Sequence, residues 1–309
     1  MSNYELKEMK YEDYWELRAL FSLRYAQTCE NIITNSYIWK DYYKARYVTD
    51  GKGLFWIYRL QDEYFTASPV CADKDVKKYF EMAQDYFHTE RKCKLVMYTV
   101  DEKLIRQLEL LIRQLDLPQD RYTVEEDRRY FDYVYDADAL RRLAGKKYHK
   151  KKNHVNAFYK EYEGRYECRV MMAEDADIIS EYLDKWHAMR NIEDEYHRDD
   201  YELKGIKELI RHSNDMNLDM FGVFIDGKLE AFTLGTYLKR EETAYIHVEK
   251  ANPEIRGLYP FINQQFLIHC FPTAKWVNRE DDMGLEGLRK AKMSYNPAFM
   301  AKKYNVYEK

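Results

Sequence analysis

Apolar and polar positions alternate along this chain in two rhythms, and the rhythms mark out the elements. From Tyr11 to Arg24 the apolar residues Trp15, Leu17, Leu20, Phe21 and Leu23 recur at helical spacing. A short helix is predicted over 31–39, then strands over 46–49, 54–60 and 64–69. Asp50-Gly51-Lys52-Gly53 forms the turn between the first two strands. Next come a helix over 75–88, a strand over 94–100, a helix over 102–115 and a strand pair ending near Tyr135. The remainder repeats that order: strand 166–171, helices 174–189 and 201–212, strand 220–225, and an Asp226-Gly227 turn into strand 229–238. Strand 244–250, helix 258–271, strand 275–278, helix 284–293 and a last strand over 300–306 complete it. Residues 136–164 join the halves and include two helical stretches, 138–143 and 150–162.

Composition narrows the class. The chain has 309 residues, 46% hydrophobic and 34% charged, with a net charge of −4. That supports two ordinary domains with real cores, predicted at 1–137 and 138–309, the second opening on a basic helical lead-in at 138–164. Disordered, collagenous and disulfide-scaffold architectures are excluded. No apolar run approaches the ~18 residues of a membrane span. The N-terminal MSNYELKEMK lacks a signal-peptide core. Five scattered cysteines without a C-x-x-C pair predict reduced thiols, no metal site and a cytoplasmic location. The 30 tyrosines are expected mainly to cover surface.

The repeated order of elements resembles the GNAT N-acyltransferase fold in tandem, an α+β architecture with mixed, mostly antiparallel sheets. In that fold the acyl donor enters a gap between the fourth and fifth strands. Strand alternation over 244–250 places Tyr245, His247 and Glu249 on one face and Ala244, Ile246 and Val248 on the other. His247 or Glu249 is the candidate general base. The following turn, with Arg256 and Gly257 before a helix, is a candidate anion site. It departs from the Q/R-x-x-G-x-G/A loop of acetyl-CoA enzymes, because Glu254 and Tyr259 stand at two of its positions. Ordinary helix capping explains the segment as well. Further on, Arg289, Lys292 and Tyr295 lie three residues apart and share a helix face suited to phosphate or an oxyanion.

The run Arg279-Glu280-Asp281-Asp282-x-Gly284, followed by Gly287-Leu288-Arg289-x-Ala291-Lys292-x-Ser294-Tyr295-x-Pro297, resembles the signature of the soluble catalytic domain of phosphatidylglycerol lysyltransferases, and more closely still that of their stand-alone bacterial relatives. Tyr133 to Gly145, Lys150 to Phe158 and Cys29 to Trp39 are similar to other segments of that family. The resemblance implies kinship with enzymes that move an aminoacyl group from charged tRNA to a lipid hydroxyl or to peptidoglycan. It implies a polar site at Asp281, Arg289 and Lys292, with Arg279 beside it. Charged tRNA is the preferred donor co-substrate and acetyl-CoA the second choice, with no tightly bound cofactor. A protein that binds RNA or lipid on this scaffold without turnover is the third reading.

Seven Lys/Arg fall within residues 141–154 without an acid. Lys146, Lys147, Lys150, Lys151 and Lys152 are therefore a candidate patch for tRNA phosphates or an anionic lipid surface, which would make the protein peripheral to the membrane. Such runs are also ordinary solvated faces. Glu193 and Glu195, between the first two helices of the second half, are candidates to receive a cationic amine.

Overall fold

The computed structural model describes residues 4–114, 121–189 and 197–309. It divides into two compact units, Met1–Asp132 with Ala301–Lys309, and Tyr133–Met300. The first unit carries strands β1 (Lys7–Glu8), β2 (Arg46–Thr49), β3 (Gly53–Leu60), β4 (Glu63–Phe65), β5 (Val70–Cys71), β6 (Val96–Asp101) and β7 (Tyr122–Glu126). Its helices are α1 (Tyr14–Phe21), α2 (Ile33–Trp39), α3 (Val76–Tyr86) and α4 (Glu102–Gln114). An antiparallel sheet runs β1-β2-β3-β4, with β5 also on β3. The apolar stripe of α3, Val76, Tyr79, Phe80, Ala83 and Tyr86, is buried against Val48, Phe55 and Ile57 of that sheet.

The second unit holds β8 (Asp132–Asp136), β9 (Tyr166–Met171), β10 (Asp219–Ile225), β11 (Lys228–Leu238), β12 (Thr243–Ala251), β13 (Trp276–Asn278) and β14 (Phe299–Ala301). They form one sheet in the order β14-β8-β13-β12-β11-β10-β9. Its helices are α5 (Ala137–Arg142), α6 (His149–Glu161), α7 (Ala176–Met189), α8 (Arg198–Arg211), α9 (Leu258–His269) and α10 (Glu286–Met293). α9 is apolar around most of its circumference, with Phe261, Ile262, Phe266 and Leu267 fully buried. Each such side chain contributes about 1.5–3 kcal/mol of burial energy. They share a core with α5, α6 and the α9-facing residues of β10–β13.

The last strand departs from the sequence expectation. Residues 300–306 do not make one strand: Phe299–Ala301 extends the second unit's sheet, while β15 (Lys303–Glu308) pairs with β6 and β7 of the first. The chain end therefore belongs to the first unit, and the second begins at Tyr133 rather than at 138. Tyrosine is the other departure. Tyr37, Tyr79, Tyr86, Tyr133, Tyr135, Tyr148 and Tyr245 rank among the largest fully buried side chains. Their burial is tolerated where the hydroxyl finds an acceptor: Tyr37 donates to the Lys10 carbonyl at 2.6 Å and Tyr79 to Asp50 at 2.5 Å.

The mixed α+β architecture, with antiparallel pairing dominant in both units, is that of tandem GNAT-like domains. Among the described residues no helix is long and apolar enough to cross a membrane.

Candidate functional site

The site is made by a strand that outruns its neighbour. β12 and β13 run parallel but pair only at Thr243↔Trp276, Ala244↔Val277 and Tyr245↔Asn278. β12 then continues to Ala251, and on that side no strand among the described residues accompanies it. The divergence lies beyond the carboxyl end of β13.

A bulge in β12 decides which side chains meet there. Leu234 of β11 pairs with Val248, but Gly235 pairs with Ile246, so His247 is the extra residue. Gly235 is required opposite it, because a Cβ there would lie 2.5 Å from the Tyr245 carbonyl oxygen. The bulge corrects the expected alternation: Tyr245, His247 and Glu249 do not share a face. Glu249 instead joins Ala244, Ile246 and Ala251 on the side of α9, where it accepts from Asn263 Nδ2 at 2.7 Å. Lys250 goes to the other side, over the Trp186 ring of α7 at 4.4 Å and paired with Glu202. The His247 side chain is wholly buried, its ring nitrogens 2.8 Å from Glu280 and 3.1 Å from Thr236.

Around Glu249 the segment after β13 supplies the rest. Arg279 Nη2 donates to Glu249 at 2.7 Å, and both side chains are about nine-tenths buried. Burial is the largest influence and opposes the guanidinium's charge, but Glu249 together with Tyr295 and Tyr135 outweighs it and the Arg279 pKa is raised. Its Nη1 is buried without a hydrogen-bond partner among the described residues. The Arg279 guanidinium lies over the Tyr295 ring at 4.5 Å, and the Lys151 ammonium over the same ring at 3.8 Å. Burial first, then Arg279, pushes Lys151 down to about 8. Tyr295 is 4% exposed, and burial pushes its phenol up to about 12.

The loop from Arg279 to Leu285 is held by the motif's other members. Asp282, fully buried, takes Arg289 Nε and Nη2 at 2.9 Å each, the Gly284 N–H at 2.9 Å and the Tyr133 hydroxyl at 2.5 Å. Burial works against its charge, yet Arg289 and these hydrogen bonds hold its carboxyl at about 2. Lys292 Nζ donates to the Arg279 and Asp281 carbonyls. Asp281 accepts the Met283 N–H at 3.0 Å. Glu280 and Met283 take positive φ, 57° and 51°, conformations that cost energy for residues with a Cβ. Arg289 and Lys292 are thus engaged in shaping this loop, a use the helix-face pattern does not disclose.

The turn before α9 is closed by backbone. Gly257 has φ 86°, and a Cβ on it would lie 2.1 Å from the His154 carbonyl oxygen of α6. The end of α9 that would cradle a pyrophosphate in an acetyl-CoA enzyme lies against α6 here, and Arg256 is exposed. Of the candidate basic patch, Lys146, Lys147, Lys150 and Lys152 are exposed, while Lys151 turns inward to Tyr295. Sequence reasoning grouped it with its neighbours; only its spacing from Val155 and Phe158, the buried positions of α6, distinguishes it. Glu193 and Glu195 lie outside the described residues.

Comparison with known proteins places this geometry. The family described as "Phosphatidylglycerol lysyltransferase, C-terminal" matches residues 21–307. The chain belongs to that family. The chain is 25% identical, over 177 residues, to an uncharacterized protein of Mycoplasmoides gallisepticum, covering 57% of this chain and 55% of that one. The chain thus spans about half the length of that curated relative. A conserved protein of unknown function from Bacteroides thetaiotaomicron superposes with a TM-score of 0.86 at 25% identity, covering 99% of this chain and 100% of the other. L-PGS from Bacillus licheniformis superposes with a TM-score of 0.65 at 13% identity, covering 98% and 93%.

Proposed function

We propose that the second unit is an aminoacyltransferase that takes an aminoacyl group from charged tRNA and gives it to an amine or hydroxyl acceptor. The observation that carries this reading is the cluster of Glu249, Arg279 and Tyr295 where β12 outruns β13, in a chain whose family match spans 21–307. Family membership supports a transferase; the donor and the acceptor are this proposal's own.

In the proposed reaction the acceptor's nitrogen or oxygen attacks the ester carbonyl of the aminoacyl group. The new C–N or C–O bond forms as the ester C–O bond to the RNA ribose breaks. Glu249 takes the acceptor's proton, since each carboxylate oxygen keeps a lone pair beyond the one bond it accepts from Asn263 or Arg279, whereas both ring nitrogens of His247 are engaged. The positive charge of the Arg279 guanidinium, beside that carboxylate, stabilises the carbonyl oxygen as it gains negative charge. Tyr295 keeps its proton at neutral pH, because its pKa is pushed up to about 12, and delivers it to the departing ribose oxygen. Arg289 and Lys292 act indirectly, by fixing the loop that presents Arg279. The closed turn at Gly257 favours an RNA-borne donor over acetyl-CoA.

The test is discharge of radiolabelled aminoacyl-tRNA, with hydroxylamine as a surrogate acceptor and acetyl-CoA as competitor. Discharge well above the spontaneous rate, insensitive to acetyl-CoA, is the expected result. Saturable acetyl-CoA turnover with no discharge would replace the reading by an acetyltransferase.

A further inference from the structure

The cluster on Tyr295 is short of negative charge. Lys151 and Arg279 bring two cations to one ring, 3.8 and 4.5 Å away, and Glu249 is paired with Arg279 alone. Asn263 already occupies one oxygen of that carboxylate and Arg279 the other. Lys151 has no ion-pair or hydrogen-bond partner among the described residues, and Arg279 keeps one buried N–H donor unfilled. Burying a guanidinium N–H without an acceptor is costly, and the half-buried Lys151 ammonium beside it repels it. A protein retains such an arrangement where a ligand supplies the missing charge.

We infer that Lys151 and Arg279 together form a binding site for one singly charged oxyanion, a phosphodiester of the RNA's 3′ end. One negative charge balances the cluster, and a diester offers separate oxygens to an ammonium and a guanidinium N–H. The lowered pKa of Lys151, about 8, fits an ammonium that an anion would stabilise. This assignment rests on the proposed donor and names the part of it that the opening grips. It separates Lys151 from the exposed lysines of the same run, which face solvent and would add only long-range attraction.

Binding of the trinucleotide CCA, measured by calorimetry without any turnover, tests it. Lys151→Met is expected to weaken binding about 10-fold and to reduce the salt dependence by about one phosphate contact. Lys151→Arg should restore most of the affinity, and Lys185→Met, an exposed lysine paired with Glu181, should leave it unchanged. The inference is overturned if Lys151→Met binds CCA as the native protein does. It is equally overturned if adenosine, which has no phosphate, binds as tightly as CCA, or if phosphatidylglycerol vesicles bind in a Lys151-dependent way and CCA does not. Lys151-dependent CCA binding without aminoacyl discharge would uphold this site and sink the proposed reaction. Discharge that ignores Lys151 would do the reverse.

Discussion

Two buried charge clusters, one in each unit, are built on opposite principles. In the first unit Arg24 and Asp101 make a bidentate pair at 2.6 and 2.8 Å, with Ser68 and the Leu104 N–H on the same carboxylate. Asp101's remaining acceptor positions are taken by an N–H at the start of α4 and by a hydroxyl, and Asp73 is a second carboxylate 3.9 Å from Arg24 Nε. In the second unit Arg279 is paired with Glu249, and Lys151 brings a second cation to the same Tyr295 ring. Each cluster leaves one buried guanidinium nitrogen without a hydrogen-bond partner among the described residues, so that feature does not separate them. Charge does: the first is closed, Arg24 facing two carboxylates, and the second is open, two cations beside one carboxylate.

Breaking the closed pair should have the largest effect on stability. Removing one partner from a buried pair costs about 3–5 kcal/mol, so Arg24→Met should lower the denaturation midpoint strongly. If urea unfolding shows under 1 kcal/mol, the contrast between the clusters loses its structural half. On the open side, Glu249→Gln keeps the shape and removes the proton acceptor. Aminoacyl discharge should fall about 10²-fold, with kcat taking most of the loss. Equal discharge by this variant would remove Glu249 from the chemistry.

A smaller effect is expected at Asp282. Its pKa is about 2 in the folded chain against an ordinary 3.8, so the folded state favours the charged form. The stability it provides is present above pH 3.8 and is lost as the pH falls through about 2. The stability difference between the native protein and Asp282→Asn should thus be constant above pH 5, on the order of 1–3 kcal/mol, and shrink between pH 4 and 2. A difference that stays flat to pH 2 would mean the carboxylate is not what Arg289 holds. The smallest effect belongs to Lys150→Met with Lys152→Met, both exposed. Stability should move by about 0.5 kcal/mol at most, and tRNA affinity by less than Lys151→Met changes it.

The order of elements was legible because hydrophobic period and turn chemistry are local. The Asp226-Gly227 hairpin, the paired helices 176–189 and 198–211, and the strand ending at Asn278 all follow from residues within a few positions of each other. What escaped depends on non-local facts. The bulge at His247 arises from pairing with Gly235, twelve residues upstream, and it reverses the side of the sheet on which Glu249 lies. The C-terminal strand joins β6 and β7, about two hundred residues earlier. The motif 279–297 was visible as a motif, but the division of its work was not. Asp282, Arg289 and Lys292 shape the loop, and Arg279 pairs with Glu249. Lys151 stood in a run of like charges, where composition gives no reason to single out one member.

The central claim is that the opening beside β12 transfers an aminoacyl group from RNA. Discharge of radiolabelled aminoacyl-tRNA, compared between the native protein and Glu249→Gln at matched fold and concentration, tests it most directly. The account predicts rapid discharge that acetyl-CoA does not inhibit and that falls about 10²-fold in the variant. Discharge at the spontaneous rate in both proteins would contradict it.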